Sequence, residues 1–119
     1  MIVEDNEALA QTTGWMVEML GHEYRVVLTP EAALAEIAAF QPNLMLVDIG
    51  LPGMNGYELC RRLKALPASE NVTIVAQTGW GQEEHRRQSA EAGFDHHLVK
   101  PVQIEVLKTL IDELAARQR

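Results

Sequence analysis

The sequence predicts a single α/β domain on an open, doubly wound parallel sheet, and three observations carry that prediction. Short apolar runs alternate five times with longer amphipathic segments, the pattern of strand, helix, strand, helix. One run, Leu44-Met45-Leu46-Val47, is apolar throughout, as a central strand covered by helices on both faces must be. No Pro-, Gly- or Ser-rich linker and no repeat interrupts the chain, so residues 1–119 read as one domain with one modest core.

The elements follow in order. Residues 1–4 form a very short first strand. A helix over 6–20 sets Leu9, Thr13, Met16, Val17 and Leu20 on one face, is weakened slightly by Gly14, and ends at Gly21 as a left-handed cap. Residues 24–28 are the second strand. Thr29, a hydroxyl N-cap, and Pro30, at the first helical position, start a helix to about residue 39 with Leu34, Ile37 and Ala38 inward. The apolar third strand ends at Asp48, and a loop over 49–55 with Pro52 and Gly53 leads to a helix over 56–66. In that helix Leu59, Cys60, Leu63 and Leu66 recur at helical spacing. Residues 72–76 make the fourth strand, with Thr78 just past it. Residues 82–92 are helical by position but carry no apolar side chain larger than alanine, so this helix buries little area and is expected to be the least stable. Residues 97–99 are the fifth strand, ended by Lys100-Pro101. The closing helix, 103–117, puts Ile104, Leu107, Leu110, Ile111 and Leu114 on one face.

Composition narrows the function. Seventeen acidic residues against ten basic give a net charge of −7, which argues against direct binding to a nucleic-acid backbone. No apolar run approaches the roughly 20 residues of a membrane span, and the N-terminal residues lack the layout of a signal peptide, so a cytoplasmic chain without membrane contact is expected. The single cysteine, Cys60, has no partner for a disulfide or a zinc knuckle and reads as a small buried residue.

In an open parallel sheet, ligands collect in the crevice at the carboxyl ends of the strands. The residues that fall there are Glu4 and Asp5, Asp48, Thr78 and Lys100. Three converging carboxylates repel one another unless a hard divalent cation takes their oxygens, and Mg2+ is the natural candidate. An acidic cluster with a lysine and a hydroxyl suits a phosphoryl group, with Asp48 as metal ligand or as nucleophile. As nucleophile it forms an acyl phosphate while Lys100 offsets charge and Thr78 donates a hydrogen bond. Taken singly, Asp48 reads as a turn cap, Lys100 as a solvated loop residue and Thr78 as a helix N-cap; only the combination points to chemistry. His96 and His97 face opposite sides of a strand and make a poor chelating pair. Trp80 either gates water at the crevice or is an exposed aromatic without a role, and Glu83-Glu84 with Arg86-Arg87 reads as a solvated helix face.

Across essentially its whole length the chain resembles the receiver domain of two-component response regulators. The resemblance rests on Val3-Glu4-Asp5-Asn6, on the run from Leu46-Val47-Asp48 through Gly50-Leu51-Pro52-Gly53-Met54-Asn55-Gly56 to Tyr57-Glu58, on Thr78-Gly79 and on Leu98-Val99-Lys100-Pro101. It implies a flavodoxin-like (βα)5 fold of sheet order 2-1-3-4-5, with a cis peptide before Pro101. It also implies that Asp48 is the phosphoacceptor, that Asp5, Asp48 and the Gly50 carbonyl ligate Mg2+ directly, and that Glu4 acts through a metal-bound water. Lys100 would pair with Asp48 and then with the phosphoryl group, Thr78 would be the switch hydroxyl, and Gly79 would leave room beside the site.

Three departures stand out. The first strand is shorter than usual for the family, which predicts weaker pairing there; Glu4 replaces an aspartate; and His97 takes the place of the usual aromatic switch residue, which suggests pH-sensitive switching. The partners implied are a sensor histidine kinase or histidine phosphotransfer protein as donor and a downstream or fused output domain. A phosphorylation-dependent homodimer is among the outcomes. These residues end at the fifth helix, so no output domain is expected within them, and the Gly-Leu-Pro-Gly-Met-Asn-Gly run looks like receivers fused to histidine kinases. Two alternatives stand beside this reading. One is a constitutive protein-interaction module with the same fold. The other is a small Mg2+-dependent phosphohydrolase, which would place a second acid two residues after the nucleophile, where this chain has Gly50.

Overall fold

Runs of Val, Ile and Leu too apolar to face water draw five segments of the chain into one sheet. The computed structural model describes residues 1–79 and 83–117, with the backbone alone over 83–86. In chain order the elements are β1 (Ile2–Val3), α1 (Glu7–Met19), β2 (Val26–Val27), α2 (Pro30–Phe40), β3 (Leu44–Asp48) and α3 (Gly56–Lys64). A 3-10 turn at Pro67–Ser69 follows, then β4 (Thr73–Thr78), α4 (Glu83–Ala92), β5 (His96–Val99) and α5 (Ile104–Arg117). All pairings are parallel and the sheet order is β2-β1-β3-β4-β5. This is the five-stranded, doubly wound flavodoxin-like arrangement.

Two apolar layers cover the sheet. Alternate strand residues Val3, Met45, Val47, Ile74 and Ala76 pack with Ala33, Ile37, Leu59, Cys60, Leu63 and Ala92, so α2, α3 and α4 lie on one face. Ile2, Leu46 and Val75 pack with Ala10, Val17, Leu107 and Leu110, which places α1 and α5 on the other. Burial pushes the Cys60 thiol up to about 11, in keeping with a small apolar core residue.

β1 is only two residues long, yet it is paired on both sides. Ile2 N donates to Arg25 O at 2.8 Å, Leu46 N to Met1 O at 2.9 Å and Glu4 N to Val27 O at 3.1 Å, so the ladder runs past both ends of the strand. The helix starts follow their caps: Asn6, Thr29 and Asn55 accept from the backbone N–H three residues on. Gly21 has φ +90° after α1, the left-handed conformation expected there.

Several details differ from the sequence expectation. On α1 the buried residues are Ala10, Thr13, Gly14 and Val17, while Leu9 is 47% exposed. The period is helical but the face is turned, because α1 comes close through small residues: a Cβ on Gly14 would lie 2.3 Å from the Tyr24 ring. On α2 the buried set is Pro30, Ala33 and Ile37, with Leu34 half-buried and Ala38 exposed. The helix over 56–66 is shorter than expected, ending at Lys64. Ser69 Oγ then caps the following turn by donating to Leu66 O and Leu63 O. β4 runs on to Thr78, and β5 begins at His96.

Candidate functional site

The sheet order turns the connections to opposite faces on either side of β1 and β3, and a crevice opens at the carboxyl ends of those strands. Three of the charged residues there are held by the ladder. Glu4 N donates to Val27 O, Asp48 is in register with Gln77, and Lys100 N donates to Thr78 O at 2.8 Å. The side chains therefore inherit the precision of the sheet.

Lys100 is the hub. Its ammonium donates to Glu4 Oε1 at 2.6 Å and lies 3.3 Å from Asp48 Oδ1. The same Asp48 oxygen accepts from Gly50 N at 3.0 Å, and the peptide bond from Lys100 to Pro101 is cis. Glu4 and Asp48 are buried, whereas Asp5, one residue past β1's last ladder bond, is exposed. One carboxylate oxygen from each of Glu4, Asp5 and Asp48 falls within 4.8 Å of the others. Thr78, the last residue of β4, is buried, and Gly50 is exposed in the loop after β3. The backbone N–H of Asn6 is 3.4 Å from Glu4 Oε2, so the acidic pair also sits at the positive end of α1.

The electrostatics are unbalanced. Burial, with the Asp48 charge adding and the Lys100 ammonium opposing, pushes the Glu4 carboxyl up to about 7. Burial pulls the Lys100 ammonium down, but its hydrogen bond to Glu4 and the Asp48 charge outweigh it and raise the ammonium above its ordinary value. Three carboxylates face one ammonium within this cluster. Hard oxygen donors and surplus negative charge fit a divalent cation of the Mg2+ kind.

His97 stands on β5, half-buried, with Nδ1 3.2 Å from Ser89 Oγ on α4. It is in register with Ala76, so it shares a face of the sheet with Thr78. A Cβ on Gly79 would meet nothing within 4 Å among the described residues, so open space lies beside it. Trp80 lies outside the described residues, as do the side chains of Glu83, Glu84 and Arg86.

Two residues of the site escaped the sequence reading. Gly56 opens α3 directly beneath the crevice, and a Cβ there would lie 2.7 Å from both the Asp48 carbonyl oxygen and Ile49 Cα. The only signal was a glycine in a first helical turn, where it is a poor helix former. Gln77 is buried within β4, and its Nε2 has no hydrogen-bond partner among the described residues. It faces a recess of about 240 Å³ between α1 and Lys100-Pro101-Val102. Its signal was an amide side chain directly after the apolar run Ile74-Val75-Ala76.

The family profile described as response regulator receiver domain matches residues 1–112 of this chain. The chain is 32% identical to the phosphate regulon transcriptional regulatory protein PhoB of Rhizobium meliloti, over 99% of the chain and 52% of that protein. It is 31% identical to the gliding motility regulatory protein of Myxococcus xanthus, over 96% of the chain and 15% of that protein. The chain thus spans about half the length of the first relative and a small part of the second. Among solved structures, a CheY-like response regulator receiver domain protein from Methanospirillum hungatei superposes with a TM-score of 0.85 at 30% identity, covering 98% of this chain and 93% of that one. The signal receiver domain of a histidine kinase from Syntrophus aciditrophicus gives a TM-score of 0.86 at 28% identity, covering 97% and 87%.

Proposed function

The chain belongs to the response regulator receiver family of two-component signalling, and on that premise we propose that Asp48 takes a phosphoryl group from a phosphohistidine donor in a Mg2+-dependent reaction. The observation that carries the proposal is the bridge from Lys100 to both Glu4 and Asp48, set among three carboxylates at the strand ends. In the proposed step an Asp48 carboxylate oxygen attacks phosphorus, the bond from phosphorus to the donor's imidazole nitrogen breaks, and the imidazole leaves with the electron pair and is reprotonated. The product is an acyl phosphate on Asp48.

The residues divide the work. Asp5, Asp48 and the Gly50 carbonyl are the direct metal ligands in this reading, and Glu4 acts through a water. When bound, Mg2+ offsets charge on the transferred group. Lys100 holds Asp48 in place before transfer and pairs with the phosphoryl oxygens afterwards. Gly50 N steadies the nucleophile. Thr78 donates its hydroxyl to a phosphoryl oxygen and His97 follows, so that the surface of α4, β5 and α5 changes partners. A phosphoryl group of about −1.5 to −2 charge supplies the driving force. The donor is a sensor histidine kinase or a histidine phosphotransfer protein, the output goes through a downstream or fused domain, and chemistry beyond slow loss of the acyl phosphate is not expected.

The test is intact mass after incubation with acetyl phosphate and Mg2+. One added phosphoryl group is expected, lost in Asp48→Asn and lost with a chelator. No gain despite demonstrated Mg2+ binding would overturn the phosphoacceptor role in favour of a constitutive binding module. Multiple turnover of a phosphate ester would instead favour a hydrolase.

A further inference from the structure

The ten residues of α4, EEHRRQSAEA, include no apolar side chain larger than alanine. Among its described side chains, Ser89 and Ala92 are the buried ones, at 2% and 4% exposure. So small an apolar anchor holds a helix weakly, and any polar contact then carries a large share of its attachment. A buried hydroxyl has to be hydrogen-bonded, and Ser89 Oγ meets Nδ1 of His97 at 3.2 Å. This contact joins α4 to β5 on the face of the sheet that also carries Thr78, which begins the connection into α4. The helix is therefore linked to the site both along the chain that follows Thr78 and through His97.

We propose that the hydrogen bond between Ser89 and His97 is a latch that holds α4 on β5 while Asp48 is unphosphorylated, and that its release is how phosphorylation frees the α4 surface. The trigger rests on the phosphoacceptor reading above; the latch itself does not. Opening exposes no apolar side chain larger than alanine, since α4 has none, so loss of this buried polar contact shifts the balance.

Hydrogen exchange over α4, read peptide by peptide on the whole 119-residue chain, separates the two parts. Without phosphodonor, Ser89→Ala and His97→Phe are each expected to speed exchange in α4 by roughly three- to tenfold, the worth of one net hydrogen bond, with α3 unchanged. Alanine favours helix more than serine does, so faster exchange in Ser89→Ala cannot come from propensity. Acetyl phosphate with Mg2+ is expected to produce the same rise in the wild type and little further change in the variants. Unaltered α4 exchange in both variants overturns the latch. A wild-type chain that gains the phosphoryl mass while α4 exchange stays flat overturns its coupling to Asp48. A chain that takes no phosphoryl group overturns the phosphoacceptor reading, and the variants still decide the latch.

Discussion

α3 and α4 lie side by side on one face of the sheet, yet they are held there by different interactions. α3 sends Leu59, Cys60 and Leu63 wholly into the core, and Tyr57 meets Phe94 edge to face at 6.4 Å. Its Glu58 in the first turn and Arg61, Arg62 and Lys64 in the last oppose the helix dipole, and Glu58 pairs with Arg62 at 3.2 Å. Among its described side chains α4 buries Ser89 and Ala92 alone, and the serine is bonded to a histidine. The first helix follows Asp48 and abuts its carbonyl through Gly56; the second follows Thr78. The proposed acceptor thus stands on a rigid base, while the proposed switch hydroxyl leads into an element that can move at low cost.

The contrast is broken most forcefully from the α3 side. Leu63→Ala should cost about 2 to 5 kcal/mol in denaturant unfolding, because a fully buried leucine leaves a cavity that rigid neighbours do not fill. Gly56→Ala should cost roughly 1 to 3 kcal/mol and slow labelling of Asp48 by acetyl phosphate, since the new methyl forces β3's end away from α3. A stability loss without slower labelling would show that Gly56 matters to packing alone.

The crevice above α3 has its own signature in pH. The folded chain keeps the Glu4 proton up to about 7, whereas the unfolded chain releases it near the ordinary value of 4.5. Stability therefore falls as pH rises through that window, and Glu4→Gln should lack the fall. Without divalent cations, the wild type should lose on the order of 2 kcal/mol relative to the variant between pH 4.5 and 7. Parallel pH curves would remove the buried charge from the account. The smallest effect belongs to α4: Ala90→Gly, at an exposed position, should lower the global unfolding free energy by less than about 0.5 kcal/mol while clearly speeding local exchange. An equal loss in both measurements would mean that α4 unfolds only with the whole domain, and the contrast with α3 would vanish.

Much of this was legible from the residues. Alternating apolar runs announce a parallel sheet, because burial on both faces leaves no polar positions in Leu44-Met45-Leu46-Val47. Strand ends carry the ligands of such sheets, so Glu4, Asp5, Asp48, Thr78 and Lys100 could be collected before any geometry was known. The poverty of α4 was equally plain from its lack of large apolar side chains. Bulk misled where small residues did the packing. Leu9 reads as inward on α1, yet it is exposed while Ala10 is buried and Gly14 packs closely against the Tyr24 ring.

Local chemistry accordingly determined the order of elements, the caps at Asn6, Thr29 and Asn55, and the residue types gathered at the crevice, since periodicity and capping act over a few residues. Tertiary structure alone decided that Lys100 reaches Glu4 more closely than Asp48, that Gly56 seats α3 against the Asp48 carbonyl, and that Ser89 finds His97. These contacts join segments far apart in the chain or close-packed in space. Their distances follow from how the layers settle, which no pattern within a single segment encodes.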